Sequence, residues 1–329
     1  MRVGIDVSPL RQTRAGTARH LGALLEQLEV RSDFQLVRLA FGGRGRLSAF
    51  ARDVAWYPWG LPRRARREEV DVLHCPTYRG PVRSGVPVVV TVHDLAVFRH
   101  PDAFNRWSRT YSRAVVPRVL AAARLVIAVS EFTRRELVDL LGVPVGKIRV
   151  VPNAVGPEFD PKGAAEDGDY VLAVGTLEPR KNLARLVEAA GRTGAELRVV
   201  GAQGWGGVEV GGNGVRWLGE VADDRLAELY RGAACVAYPS LYEGFGMPVL
   251  EAMACGAPVV TSAGGATEEV AGGAAVLVDP LDSASIAAGL EEAAARRGEL
   301  ARLGLARARS FSWADTASAT AEVYREALS

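Results

Sequence analysis

Glu243 and Glu251 stand eight residues apart in the run Glu243-Gly244-Phe245-Gly246-Met247-Pro248-Val249-Leu250-Glu251. Gly244 and Gly246 disfavour helix, and Pro248 is best tolerated at the first helical position. The spacing therefore predicts Glu243 on a loop and Glu251 in the first turn of the helix that follows. The opening N–H groups of that helix have no partner within it and face the loop, and with the helix dipole they suit a diphosphate. Glycine lets a ligand approach the backbone closely. The two carboxylates can accept hydrogen bonds from sugar or ribose hydroxyls. The chemistry this run fits is recognition of a phosphate-bearing sugar.

Other residues extend or limit that chemistry. Gly175-Thr176-Leu177-Glu178-Pro179-Arg180-Lys181-Asn182 reads as the end of a strand and the start of a helix. Arg180 and Lys181 can bring two positive charges to a departing diphosphate in place of a metal ion. The plain alternative is a solvated helix start, but cations are mildly unfavourable there. His93, in Thr91-Val92-His93-Asp94-Leu95, falls at the carboxyl end of an apolar run, as a site residue or as a structural histidine. His100 reads as a surface residue. The loop Arg14-Ala15-Gly16-Thr17 leads into a helix, so N–H groups near Gly16 can face a phosphate across a cleft. Asp167-Gly168-Asp169 has the form of a metal-holding pair but falls in a linker, and no metal is expected. Arg63-Arg64-Ala65-Arg66-Arg67 is a solvated face or a contact for anionic lipid or a charged acceptor. Neither a G-x-G-x-x-G after the first strand nor a G-x-x-x-x-G-K-[ST] is present, which disfavours nicotinamide or flavin dinucleotides and a P-loop. Nucleic acid is not an expected partner, because the basic run has no interleaved aromatics.

Positioning these residues requires a scaffold, and the chain reads as alternating strands and helices throughout. Short apolar runs bounded by turn signals, at Val3–Val7, Val70–Cys75, Val86–Val92, Leu125–Ser130 and Ile148–Pro152, read as buried parallel strands. Thr17–Leu28 and Glu131–Leu141 have helical spacing, the latter ending at Gly142. Residues 157–168 are poor in large apolar side chains and read as a linker. Strands then recur at Tyr170–Gly175, Leu197–Gly201, Val215–Leu218, Cys235–Pro239, Pro258–Thr261 and Ala275–Val278, with helices between, and an amphipathic helix follows Phe311. The pattern predicts an α/β fold of two doubly wound Rossmann-like domains facing a cleft, with ligands at the carboxyl ends of the strands.

The 329 residues, 48% hydrophobic and 24% charged, fit a soluble globular protein of two domains. The net charge of +2 hides a split. Residues 1–160 hold 25 basic and 15 acidic side chains, or +10; residues 161–329 hold 15 and 23, or −8. Only Lys147, Lys162 and Lys181 are lysine, a bias toward arginine expected of a GC-rich bacterial genome. Cys75, Cys235 and Cys255 lack metal-ligand spacing and read as reduced thiols, so the expected location is cytoplasmic. The start, Met1-Arg2-Val3-Gly4-Ile5-Asp6, reads as a strand rather than a signal peptide, and no apolar run reaches the length of a membrane span.

Taken in order, these motifs resemble the retaining glycosyltransferases of family 4, a mannosyltransferase-like group with the GT-B fold. Glu243 to Glu251 is similar to their E-x7-E motif. Tyr238-Pro239-Ser240, Ala252–Val259, Gly175–Asn182, Thr91–Leu95, Val129–Thr133 and Phe311-Ser312-Trp313 also fit. The resemblance implies a 1–160 acceptor-binding domain, a 161–310 donor-binding domain, and a 311–329 helix crossing back to the first. It implies transfer of a sugar from a nucleotide-diphosphate sugar to an acceptor hydroxyl with retention and without a metal or other cofactor. GDP-mannose-type donors are slightly preferred. His93, Arg180, Lys181 and Glu243 would serve the chemistry: His93 beside the transferred sugar, Arg180 and Lys181 on the diphosphate, Glu243 at the sugar hydroxyls. Gly16, Gly244, Phe245, Gly246, Met247, Pro248, Val249 and Glu251 would hold the donor, Glu251 at the ribose, with Val221 near the base. The acceptor is a glycan, glycolipid or small molecule, anionic if the basic half binds it, with peripheral contact to the inner face of the membrane as a further expectation. The sequence departs from the family at Thr176, where many members have Arg, at the single glycine near Gly16, and in the short Gly-rich segment 204–214. A GT-B phosphorylase or sugar-nucleotide epimerase, and a non-catalytic sugar-nucleotide-binding subunit, are the rival readings. A phosphorylase would need a cofactor-lysine motif that the sequence lacks.

Overall fold

The computed structural model describes residues 1–12, 16–43, 45–204 and 211–329, the side chains of Gln12 and Arg46 excepted. The chain divides into two compact units, Met1–Asn153 with Trp313–Ser329, and Ala154–Ser312. The first break falls seven residues before the expected 160 because the intervening residues anchor in the second unit. Phe159 is buried with its ring 5.9 Å from that of Tyr230, and Arg231 Nε donates to the Asp160 carbonyl at 2.8 Å.

In the first unit β1 (Arg2–Asp6), β2 (Gln35–Leu39), β3 (Val72–Cys75), β4 (Val88–Val92), β5 (Leu125–Ala128) and β6 (Ile148–Val150) form one parallel sheet in the order β2-β1-β3-β4-β5-β6. β4 reads Val-Val-Val-Thr-Val and is buried at every position, as a strand covered on both faces must be. The helix Gly16–Glu29 lays Leu21, Leu24, Leu25 and Leu28 on the core, the spacing of one helical face. The helix Glu131–Leu141 starts where Ser130 Oγ accepts from the Thr133 N–H (2.9 Å) and stops at Gly142, which is left-handed at φ +62°.

The C-terminal helix Trp313–Leu328 belongs to this unit. Thr316 Oγ1 donates to the Pro152 carbonyl (2.9 Å), Arg149 pairs with Glu326, and the Tyr324 hydroxyl lies 2.8 Å from His74 Nδ1. His74 Nε2 lies 2.8 Å from Thr91 Oγ1. Burial lowers the His74 pKa to about 3, so the ring is neutral and bridges β3, β4 and the helix with one donating and one accepting nitrogen.

The second unit repeats the design with β7 (Tyr170–Val174), β8 (Glu196–Val200), β9 (Val215–Gly219), β10 (Cys235–Tyr238), β11 (Val259–Ser262) and β12 (Val276–Val278), all parallel in the order β12-β11-β10-β7-β8-β9. The chain order reverses between β7 and β10, and such a switch point opens a crevice at the carboxyl ends of the strands. Cys75, Cys235 and Cys255 are free thiols and buried. Among the described residues no helix is long and apolar enough to cross a membrane.

Candidate functional site

The loops that leave β7 and β10 meet at the switch point of the second sheet. After β7 the chain turns at Gly175 (φ +148°), where a Cβ would lie 3.1 Å from Lys181 Cε. Pro179–Lys181 forms a short 3-10 turn, and Asn182 adopts the left-handed conformation before the helix Leu183–Thr193. Its amide Nδ2 donates to the carbonyls of Pro239 (3.0 Å) and Pro280 (2.6 Å), while the Leu241 N–H donates to the Arg180 carbonyl (2.8 Å). These bonds fix the two loops against each other.

They bring Arg180, Lys181 and Glu243 into direct contact. Lys181 Nζ donates to Glu243 Oε1 (2.7 Å) and to the Tyr238 hydroxyl (2.5 Å), which itself donates to Glu243 Oε1 (2.9 Å). Arg180 Nη1 lies 2.9 Å from Glu243 Oε2, and its Nε donates to Glu178 Oε2 (2.8 Å). The Lys181 and Glu243 side chains are only 10% and 11% exposed. Burial would raise the Glu243 pKa, but Lys181 and Arg180 overcome it and hold the carboxyl at about 2. Burial lowers Lys181 against the pull of Glu243, and burial raises Glu178 against Arg180. Two cations thus face two carboxylates, and their formal charges cancel. The sequence assigned Arg180 and Lys181 to a diphosphate and Glu243 to a sugar; in the structure they are one network.

Glu251 requires a correction. The helix begins at Met247 rather than Pro248, so Glu251 is its fifth residue and enters the second turn. Its side chain is buried and accepts from the Tyr230 hydroxyl at 3.0 Å. Gly246 caps the helix at φ +106°, and a Cβ there would come within 2.8 Å of Thr267 Cγ2. Backbone shape and this packing require the glycine, whatever approaches from outside. Phe245 and Val249 turn their side chains into the core, Phe245 edge-on to Phe311 at 5.9 Å. Gly244 is buried, and Met247 and Pro248 are half-buried. Val221 is half-buried just past β9, whose last residue, Gly219, accepts from the Gly201 N–H at 2.8 Å. Residues 205–210 of the Gly-rich segment lie outside the described residues. Asp167 and Asp169 are exposed, and among the described residues no group of three or more histidine, cysteine or acidic side chains is placed to hold a metal.

In the first unit Gly16 is the exposed first residue of its helix, while residues 13–15 before it lie outside the described residues. His93 follows β4 with Nε2 3.0 Å from the Pro76 carbonyl, so that nitrogen carries the proton. Burial lowers its pKa. Its ring stands edge-on to that of His20 at 4.7 Å, and His20 in turn meets Trp313 at 5.3 Å. The sequence reading did not select His20, although a histidine in the row His20, Leu24, Leu28 of a helix's apolar face was a usable signal.

Two doubly wound parallel sheets in one chain make this an α/β protein of the GT-B glycosyltransferase fold. Solved structures sharing it include sucrose-phosphate synthase from Thermosynechococcus elongatus (TM-score 0.79, 19% identity, 99% of this chain and 98% of that one). Another is Anabaena Alr3699/HepE in complex with UDP and glucose (TM-score 0.76, 20% identity, 99% and 100%). Sequence then fixes the family: the chain belongs to the family 4, group 1 glycosyltransferases. The profile "Glycosyltransferase Family 4" matches residues 16–159, and "Glycosyl transferases group 1" matches 157–306. The O-antigen chain mannosyltransferase B of Escherichia coli is 31% identical over 99% of this chain and 100% of its own length. A D-inositol 3-phosphate glycosyltransferase of Geodermatophilus obscurus is 34% identical over 74% of this chain and 62% of its own.

Proposed function

We propose that this glycosyltransferase moves a hexose from a nucleotide-diphosphate sugar to an acceptor hydroxyl, with retention and without a metal ion. The observation that carries the reading is the Arg180–Lys181–Glu243 network at the switch point of the second sheet. Glu243 answers both cations. A diphosphate would exchange for that carboxylate, and Glu243 would turn to the sugar's hydroxyls. As the glycosidic C–O bond breaks, its electron pair goes to the β-phosphate oxygen, where Lys181, Arg180 and the N-terminus of the helix Met247–Ala254 stabilise the charge. The acceptor hydroxyl bonds to the anomeric carbon on the same face and gives its proton to the departing phosphate. His93 would contact the transferred sugar, and the buried Glu251 would reach the ribose by a shift from Tyr230. The mannosyltransferase relative supports a mannose-type donor, and the UDP and glucose bound to HepE support a nucleotide sugar. A thermal-shift screen with UDP, GDP, ADP and TDP tests this. The matching nucleotide at 100 times its Kd should stabilise the protein by about 2.7 kcal/mol. A flat response to all four would remove the donor reading.

The first unit would bind the acceptor and touch an anionic membrane. Arg63, Arg64, Arg66 and Arg67 are all exposed, and Leu47, Phe50 and Trp59, earlier in the same helical stretch, are 88%, 50% and 58% exposed. Apolar side chains with nearby arginines suit an anionic interface. Co-sedimentation with phosphatidylglycerol vesicles should exceed that with neutral vesicles and weaken with salt. Binding that ignores both lipid charge and salt would exclude the membrane contact.

A further inference from the structure

Tyr238 has no part in the transfer as proposed, yet its hydroxyl touches both charged partners at the centre of the site. It is the last residue of β10, a strand buried at every position, and is 4% exposed. An apolar side chain would fill that place, so a tyrosine there must find partners for its hydroxyl. The hydroxyl accepts from Lys181 Nζ (2.5 Å) and donates to Glu243 Oε1 (2.9 Å). The backbone around it is locked. Tyr238 pairs with Thr261 of β11, and Thr261 Oγ1 donates to the Tyr238 carbonyl at 3.0 Å. The carbonyl of the next residue, Pro239, accepts from the Asn182 amide at 3.0 Å, so the chain beside Lys181 is tied to the chain beside Tyr238.

Lys181 therefore has two partners of different kinds. Glu243 is charged, stands on the loop between β10 and the helix Met247–Ala254, and is the group that a diphosphate would exchange for. Tyr238 belongs to the sheet and is neutral. Burial raises its pKa well above the usual 10, so the hydroxyl keeps its proton beside Lys181. A neutral oxygen does not cancel the ammonium charge, so Lys181 can stay bonded to it and still face a phosphate with its full charge. A lysine has a flexible four-carbon stem and much rotamer freedom. A charge that has to be immobilised during the reaction stabilises less than one already fixed. Departure of the carboxylate would release Lys181 unless another group held it.

We propose that Tyr238 is a positioning residue for Lys181: its hydroxyl holds the ammonium in place when the Glu243 carboxylate gives way to a diphosphate. The proposal rests on the reading that Lys181 meets that diphosphate. Tyr238→Phe keeps the ring and removes the hydroxyl. The nucleotide for the test is whichever of UDP, GDP, ADP and TDP stabilises the full-length wild type, and the donor is its mannose or glucose conjugate. Tyr238→Phe should slow release of nucleoside diphosphate from that donor about tenfold, the worth of one hydrogen bond to a charged group, with a smaller change in nucleotide Kd. A double-mutant cycle with Lys181→Ala separates positioning from packing. In the Lys181→Ala background Tyr238→Phe should cost about twofold or less, because the group it positions is gone, whereas lost core packing would cost the same in both backgrounds. A second measurement reads the lysine itself. The chain has three lysines, so 13C-lysine labelling gives three ε-methylene signals, and Lys181→Ala assigns the relevant one. The two Lys181 ε-protons should have distinct shifts in the wild type with and without nucleotide, the mark of a side chain held in one geometry. They should merge in Tyr238→Phe once nucleotide is bound. A loss of about tenfold that persists in the Lys181→Ala background overturns the positioning role, as do Lys181 protons that stay distinct in nucleotide-bound Tyr238→Phe. If none of the four nucleotides perturbs the wild type, the donor reading fails and the positioning role falls with it. If a nucleotide binds and Tyr238→Phe still turns over at the wild-type rate, the positioning role fails alone.

Discussion

Lys181→Ala should lower turnover by about 10²–10³-fold, the loss typical of removing one preorganised donor from developing charge. Nζ sits where the loops after β7 and β10 are tied together, so its position is fixed before any ligand arrives. A fixed charge would need no reorganisation as a diphosphate departs, and that would make it effective. The fold should survive, because Glu243 keeps Arg180 and the Tyr238 hydroxyl as partners. Nucleoside diphosphate affinity should fall less than turnover, since the charge on the phosphate is greatest as the bond breaks. Single-turnover rates and nucleotide Kd on the same preparations separate the two effects. Near wild-type turnover in a folded Lys181→Ala protein would remove the assigned role.

The sheets were legible because their strands are buried on both faces. Val88–Val92 and Cys235–Tyr238 are short apolar runs with no alternation to confuse them, and the helix Glu131–Leu141, ended by Gly142, was legible to the residue. β2 escaped because it is an edge strand with most positions half-buried or exposed, so Gln35–Leu39 lacks a continuous apolar signature. The helix Arg106–Ala122 escaped because Pro117 sits inside it and its outer face is rich in arginine. Arg52–Gly60 winds as a π-helix around Pro58, a shape with no periodic signal to read. At the site, residue types were legible and contacts were not. Nothing in Glu243's spacing shows that it neutralises Lys181, 62 residues earlier. That pairing depends on β7 and β10 being neighbours, a fact of topology.

The same topology gives the second large effect, in Glu243→Gln. The substitution keeps the side chain's size and removes its charge, leaving Arg180 and Lys181 with Glu178 as the remaining carboxylate in the network. Removing one partner of a fully buried ion pair costs about 3–5 kcal/mol. These side chains retain 10–16% exposure, so a loss on the order of 2–3 kcal/mol is expected, with a melting point lower by roughly 4–12 °C for a domain of this size. The acid response identifies the cause. Glu243 has its pKa depressed from 4.5 to about 2 in the folded chain. Its stabilisation is therefore complete above pH 4.5 and is lost as pH falls toward 2. Glu243→Gln should flatten that part of the stability curve and leave neutral pH uniformly lower. Nucleotide binding should move the other way. On the proposed exchange, a diphosphate would have to displace the carboxylate in the wild type, whereas in the variant it would meet two under-compensated cations. The variant should gain more stability from nucleoside diphosphate than the wild type, yet transfer sugar more slowly, because on the proposed role a neutral side chain at 243 would engage the sugar hydroxyls less well. Calorimetric titration with the diphosphate that stabilises the wild type decides between partner exchange and a purely structural carboxylate. Weaker binding in Glu243→Gln would mean that Glu243 shapes the phosphate site rather than occupying it.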